Sequence, residues 1–169
     1  MKKEGINSGI HVVGQSIVDA VNFISTGMSP NILDKHILQS KSYLFVTCHR
    51  QENTDSIVRL NGIIDALLHL ATQTPHKVVF ALHPRTKKTL ISRNLLGNQI
   101  NHPNIIVLDS PPNFHETIHL QQHASIVLTD SDGLQEESCI LGTSCITLRE
   151  NTERPETVTW DTLRIIELV

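Results

Sequence analysis

From Tyr43 onward the chain repeats one pattern: a short apolar, β-branched run, then a polar turn, then an amphipathic stretch long enough for a helix. The strand-like runs are residues 43–47, 77–82, 105–108, 125–129 and 145–148. Between them, residues 57–71, 87–96, 114–123 and 133–141 carry apolar side chains three and four apart, the period of a helix with one buried face. Near-continuous apolar strands that alternate with helices must be covered on both faces, because the crossover helices of a parallel sheet pack there. The pattern therefore predicts a doubly wound, Rossmann-like α/β sheet. In such sheets ligands sit beyond the carboxyl ends of the strands, which confines the search for chemistry to five loops.

Residues 1–40 read differently, with a short strand at 10–13, a helix at 16–24 and a break at Gly27-Met28-Ser29-Pro30. They predict the tail of a preceding domain plus a connection, and residues 41–169 form the domain that follows. A length of 169 residues with 39% hydrophobic side chains closes one ordinary core and leaves little for a second. The net charge of −3 and the scattered cations point away from nucleic acid and from anionic membrane surfaces. One Trp and one Tyr leave no stacking platform for single-stranded nucleic acid. No apolar run nears the ~18 residues of a membrane span, and the first residues lack the core of a signal peptide, so a cytoplasmic protein is expected. Cys48, Cys139 and Cys145 are odd in number and form no Cys-x-x-Cys pair, which predicts buried free thiols.

Three loops concentrate polar chemistry. After the first strand comes Thr47-Cys48-His49-Arg50-Gln51-Glu52-Asn53, two potential cations and a carboxylate ahead of a helix start, with Asn53 or Thr54 expected as its N-cap. After the fourth comes Thr129-Asp130-Ser131-Asp132-Gly133-Leu134-Gln135-Glu136-Glu137, in which Ser131 caps a helix and the amides of Asp132 and Gly133 can cradle phosphate oxygens. Gly133 allows a ligand close to the backbone, and Glu137, one turn further, is placed to accept from a ribose diol. After the fifth, Arg149 and Arg154 flank the same edge and suit bidentate capture of an anion.

A competing signal is His115-Glu116-Thr117-Ile118-His119, the H-E-x-x-H spacing of zinc hydrolases. Ten histidines in the chain make a chance match unsurprising. His123 continues the same helical row, so the three rings line up along one helix instead of converging on one ion, and no third ligand is supplied from elsewhere. No metal ligand is assigned.

Together, the loop at 47–53, Ala81-Leu82-His83-Pro84, the loop at 128–137 and Thr152-Glu153-Arg154-Pro155-Glu156 resemble, in order and spacing, the second domain of non-hydrolysing UDP-N-acetylglucosamine 2-epimerases. The resemblance runs from about Gly5 to Leu163 and includes Val12 to Ala20, similar to the family's passage from its first domain to its second. It implies one half of a glycosyltransferase-B-like pair of Rossmann-like domains, usually dimeric, that interconverts UDP-GlcNAc and UDP-ManNAc by eliminating and re-adding UDP, with no cofactor or metal. It also implies that acid and base carboxylates come mainly from the first domain while the second grips UDP. Carried over by position, His49 is the active-site histidine, and Ser131, Asp132, Gly133, Glu137 and Arg154 form the UDP site. Arg50 and His83 belong to a regulatory nucleotide-sugar site.

The departures from the family pattern carry expectations of their own. Asp132 replaces a glycine of Ser-Gly-Gly and puts a carboxylate beside the expected phosphates, where like charge weakens binding. Asp161, in Trp160-Asp161-Thr162, adds another acid where Gly-Thr is usual, and Pro112 and Thr117 stand where many members contact uracil. A chain truncated at both ends, binding UDP weakly and without turnover alone, is the leading expectation. A decayed, non-catalytic interaction module is the alternative, with a zinc hydrolase a distant third.

Overall fold

The computed structural model describes residues 4–6, 8–11, 14–27, 31–95, 100–108 and 110–150, and the backbone of 163–165. Six strands form one parallel sheet in the order β3-β2-β1-β4-β5-β6: β1 (Tyr43–Cys48), β2 (Lys77–Leu82), β3 (Ile105–Leu108), β4 (Ile126–Thr129), β5 (Cys145–Thr147) and β6 (Leu163–Ile165). Seven described helices accompany them: α1 (Ser16–Ser25), α2 (Ile32–Lys35), α3 (Gln51–Thr54), α4 (Ile57–Gln73), α5 (Pro84–Ser92), α6 (Phe114–His123) and α7 (Asp132–Leu141). The fold class is the expected doubly wound α/β sheet.

Side-chain alternation along the strands explains why both faces are covered. Leu44, Val46 and Cys48 of β1, with Val78, Phe80 and Leu82 of β2, join Leu60, Ile63, Ile64 and Leu67 of α4 in one core. Tyr43 and Phe45, with Val79 and Ala81, point to the other side and join Leu120 of α6 and Val127 of β4 in a second core. A period of two thus divides each strand between two layers, and each layer is closed by a helix whose apolar residues recur every three or four positions. Ile32 and Leu38 also lie in the second core, and Val21 and Ile24 of α1 pack on Ile118 of α6. The segment before β1 is therefore seated on this sheet.

Three local outcomes differ from the sequence expectation. Ile10 and His11 lie in no strand, and Val12 and Val13 fall outside the described residues. Asn53 and Thr54 are buried inside α3, and Ser56 is the residue that caps α4, accepting from the Arg59 amide. Helix α5 starts at Pro84, three residues before the expected start, because His83 caps it and proline suits the first helical position. Cys48 and Cys145 are buried free thiols, as expected, whereas Cys139 is only half-buried. Among the described residues no helix is long and apolar enough to cross a membrane.

The order reverses between β1 and β4, whose chain continuations leave in opposite directions and open a crevice at their carboxyl ends. Helix α7 beyond β4 stops at Gly142, whose φ of 66° is left-handed, with the Thr143 amide donating back to the Ser138 carbonyl at 2.9 Å. A Cβ at Gly142 would meet nothing within 4 Å, so only backbone strain opposes a side chain. Gly142→Ala is expected to lower stability by about 1 kcal/mol, a drop of roughly 2–4 °C in thermal midpoint for a domain this size. An unchanged midpoint would contradict the requirement.

Candidate functional site at the carboxyl rim of the sheet

The crevice is built on Asp130, the first residue beyond β4. Its carboxylate is fully buried and accepts from the backbone amides of His49 at 3.0 Å and Arg50 at 2.8 Å, and from Asn53 Nδ2 at 3.0 Å. His49 Nδ1 lies 3.1 Å from Asp130 Oδ1. Burial alone raises a carboxyl pKa, yet the hydrogen bonds from His49, Arg50 and Asn53 outweigh it and hold Asp130 below the ordinary carboxylate value. One acid thereby fixes the whole turn after β1 and the orientation of its imidazole, leaving Nε2 as the ring nitrogen available to a ligand. The seam is reinforced by Thr47 Oγ1 and Thr129 Oγ1, 2.6 Å apart across β1 and β4, and by Asn53 donating to the Leu148 carbonyl beyond β5.

His49 opens onto an apolar cavity of about 150 Å³ walled by Phe45, Ala81, His83, Pro112, Thr117 and Leu134, among others. That volume suits one heterocyclic ring and falls short of the ~300–1,000 Å³ that enclose a whole drug-sized ligand. His83 faces His49 across 5.7 Å between ring centroids, and its Nδ1 accepts from the Arg85 amide. Pro112 and Thr117, the expected base-contacting positions, are thus in the wall of the cavity.

Helix α7 leads away from the same crevice. Ser131 caps it, its hydroxyl accepting from the Leu134 amide at 3.5 Å. Gly133 is exposed in the first turn, and a Cβ there would meet only Ser131 Oγ at 3.8 Å. Nothing inside the protein demands glycine at 133, in contrast to Gly142. Glu137 is buried one turn further, accepting from Gln121 Nε2 at 2.5 Å, while Gln121 Oε1 accepts from Ser138 Oγ at 2.9 Å. Burial raises the Glu137 pKa, with the Gln121 hydrogen bond only partly offsetting it and Glu136 adding to the rise.

The charge expected to disturb the rim is compensated. Arg149, 7% exposed, donates to Asp132 Oδ1 at 2.8 Å and Oδ2 at 3.1 Å, and to Glu52 Oε1 at 2.9 Å. Arg50 also donates to Asp132. Burial works against the Arg149 charge, but Glu52 and Asp132 outweigh it and raise its pKa. Asp132 is therefore neutralised by two guanidinium groups rather than left as bare negative charge, and Arg149 is engaged internally. Arg154 and Asp161 lie outside the described residues.

The H-E-x-x-H segment serves α6 itself. Glu116 closes a capping box with Asn113, each side chain accepting from the other residue's amide, and His119 stacks on His123. No group of three metal-ligating side chains is assembled among the described residues.

Sequence reasoning missed Asp130 and Asn53 as organisers of the site. The available signal was an acid directly after a buried apolar strand, where an unpartnered carboxylate would not be tolerated. Asp130→Asn is expected to lose about 2–4 kcal/mol at pH 7. A carboxyl whose pKa is depressed on folding stabilises above its unfolded value, near 3.8, and that contribution disappears as pH falls through the lower folded value. Urea midpoints of the variant and the parent should therefore converge toward pH 3, and equal midpoints at pH 7 would refute the assignment. Glu137 behaves oppositely, since a raised folded pKa costs stability once pH exceeds it. Glu137→Gln should raise the thermal midpoint by a few degrees at pH 7 and by much less at pH 4; a loss at pH 7 would show the ionised form is the stabilising one.

The family model described as UDP-N-acetylglucosamine 2-epimerase matches residues 1–168. A UDP-N-acetylglucosamine 2-epimerase of Methanococcus maripaludis is 37% identical over 166 residues, covering 92% of this chain and 44% of that protein. The solved structure of UDP-GlcNAc 2-epimerase from Methanocaldococcus jannaschii superposes with a TM-score of 0.85 at 35% identity, over 99% of this chain and 48% of that one. Its complex with UDP-GlcNAc and UDP gives 0.82 at 36% identity, over 98% and 46%. The chain spans less than half the length of the relatives it matches, and its sheet corresponds to one half of a glycosyltransferase-B-like fold. By match, sheet order and rim geometry together, the chain belongs to the UDP-N-acetylglucosamine 2-epimerase family.

Proposed function

We propose that this chain is the UDP-gripping half of a UDP-N-acetylglucosamine 2-epimerase, an isomerase that inverts carbon 2 of the sugar by eliminating UDP and adding it back. The observation that carries this is His49, held by Asp130 at the reversal of strand order and opening onto an apolar cavity beside the capped start of α7. The cavity takes the uracil ring, Glu137 the ribose hydroxyls, and the Ser131-Asp132-Gly133 turn the phosphates. His49 donates to a phosphate oxygen as charge develops there on cleavage of the bond to carbon 1, an interaction that strengthens in the transition state. Removal and return of the carbon 2 proton fall to carboxylates of the family's first domain.

Arg154 is assigned to the diphosphate, and Arg50 and His83 to a second, regulatory nucleotide sugar. Turnover is assigned to this half acting together with the first domain, so the chain alone binds UDP without catalysis. A homodimer of the full-length protein, a cytoplasmic location, independence of cofactors and no role for nucleic acid belong to the same proposal. Support comes from the relatives named as UDP-GlcNAc 2-epimerases and from the cavity's size and apolar walls.

Calorimetric titration should detect UDP binding to the folded chain, and indifference to millimolar UDP would remove the proposal. Gly133→Ala separates ligand approach from stability. Helix propensity and the open space at 133 predict an unchanged or higher stability, by up to about 1 kcal/mol, while UDP affinity falls roughly tenfold, about 1.4 kcal/mol. Equal affinities would mean that no ligand approaches that turn.

A further inference from the structure

Asp132 is the first residue of α7, and it is 6% exposed. Its two carboxylate oxygens receive Arg149 Nη1, and Arg50 reaches Oδ2. An acid in the first turn of a helix also meets the positive end of the helix dipole. Arg149 is in turn held by Glu52, so the rim carries two arginines matched by two carboxylates before any ligand arrives. These are the partners a bound phosphate would need at this turn: planar guanidinium donors and the amides at a helix start. A diphosphate entering there meets cations already engaged and a buried carboxylate it must displace or repel.

We propose, building on the nucleotide-binding role above, that Asp132 is a specificity-determining residue whose carboxylate stands in for a ligand phosphate, so that this site gains little from a second phosphate. Asp132 makes Arg50 and Arg149 internal partners and shifts recognition onto the uracil cavity and the ribose. The protein then binds uridine monophosphate and UDP with similar affinity, the first phosphate still meeting His49 and the turn at Ser131 and Gly133, where a rim with free arginines would discriminate steeply between the two. Neutralising the residue frees the Arg50 guanidinium for the ligand and leaves Arg149 with Glu52 as its one charged partner among the described residues. Asn at 132 keeps an acceptor for Arg149, and Gly opens the turn fully.

The test is calorimetric titration of uridine, uridine monophosphate and UDP into the parent chain, Asp132→Asn and Asp132→Gly, with folding of each checked by circular dichroism. In the parent chain the affinities for uridine monophosphate and UDP are expected within about threefold of one another. In Asp132→Asn, UDP affinity should rise at least tenfold with uridine affinity unchanged, and the gain should shrink at high salt as expected for exposed charge pairing. A parent chain that already prefers UDP over uridine monophosphate by a hundredfold overturns the proposal without any variant, which covers the case in which Asp132→Gly does not fold. Unchanged or weaker UDP binding in Asp132→Asn, with uridine still bound, overturns it and leaves the nucleotide site standing. Absence of uridine and UDP binding in every protein overturns both.

Discussion

Asp130 lies at the seam between β1 and β4 with no exposed surface, and an ionised carboxylate in such a place is tolerated only when donors surround it. Two backbone amides, the Asn53 amide and the His49 ring supply them. Each donor belongs to the segment that follows β1, so satisfying one buried charge also sets the path of the chain out of the strand. The imidazole is consequently held in one orientation before any ligand binds, and such preorganisation is what an electrostatic role in a reaction needs. Loss of this acid would release His49, the turn and the start of α3 together, which is why stability and site geometry are one problem here.

Around that anchor the protein separates an apolar cavity from a charged rim. The cavity beside His49 is walled by carbon-rich side chains and is large enough for one ring, whereas the start of α7 gathers Asp132, Arg50, Arg149 and Glu52 into a closed set of ion pairs. Exposed pairs of this kind contribute little, but Arg149 and Asp132 are nearly buried, and a buried charge without its partner is costly. The network thus holds the carboxyl ends of β1, β4 and β5 in register. A phosphate bound at this turn, as proposed above, would compete with that internal balance.

Much of the architecture was legible because it follows from local periodicity. The spans of β2 and β3 and the bounds of α6 match the apolar pattern, since a strand buried on both faces has no choice but continuous apolar residues. Boundaries governed by a single side chain were misplaced. Pro84 reads as a loop residue until His83 is seen to cap the helix it begins, and Asn53 reads as a cap until its amide is seen on Asp130. Strand β6, Leu163–Ile165, which pairs with β5, was not anticipated from the apolar pattern.

For the candidate site, the loops that reach the carboxyl rim were identifiable from the sequence alone, because strand-to-helix turns at the carboxyl edge of a parallel sheet expose amides and suit anions whatever the fold's details. The presence of an acid at 132, at the start of this turn, was likewise readable, and so was the sign of its charge. Which groups it faces was not, since Arg50 and Arg149 lie 82 and 17 residues away along the chain. Only the parallel pairing of β1 with β4 and of β4 with β5 brings those positions to one rim. The energy of a charge depends on its distance from other charges and from water, and tertiary structure alone sets both.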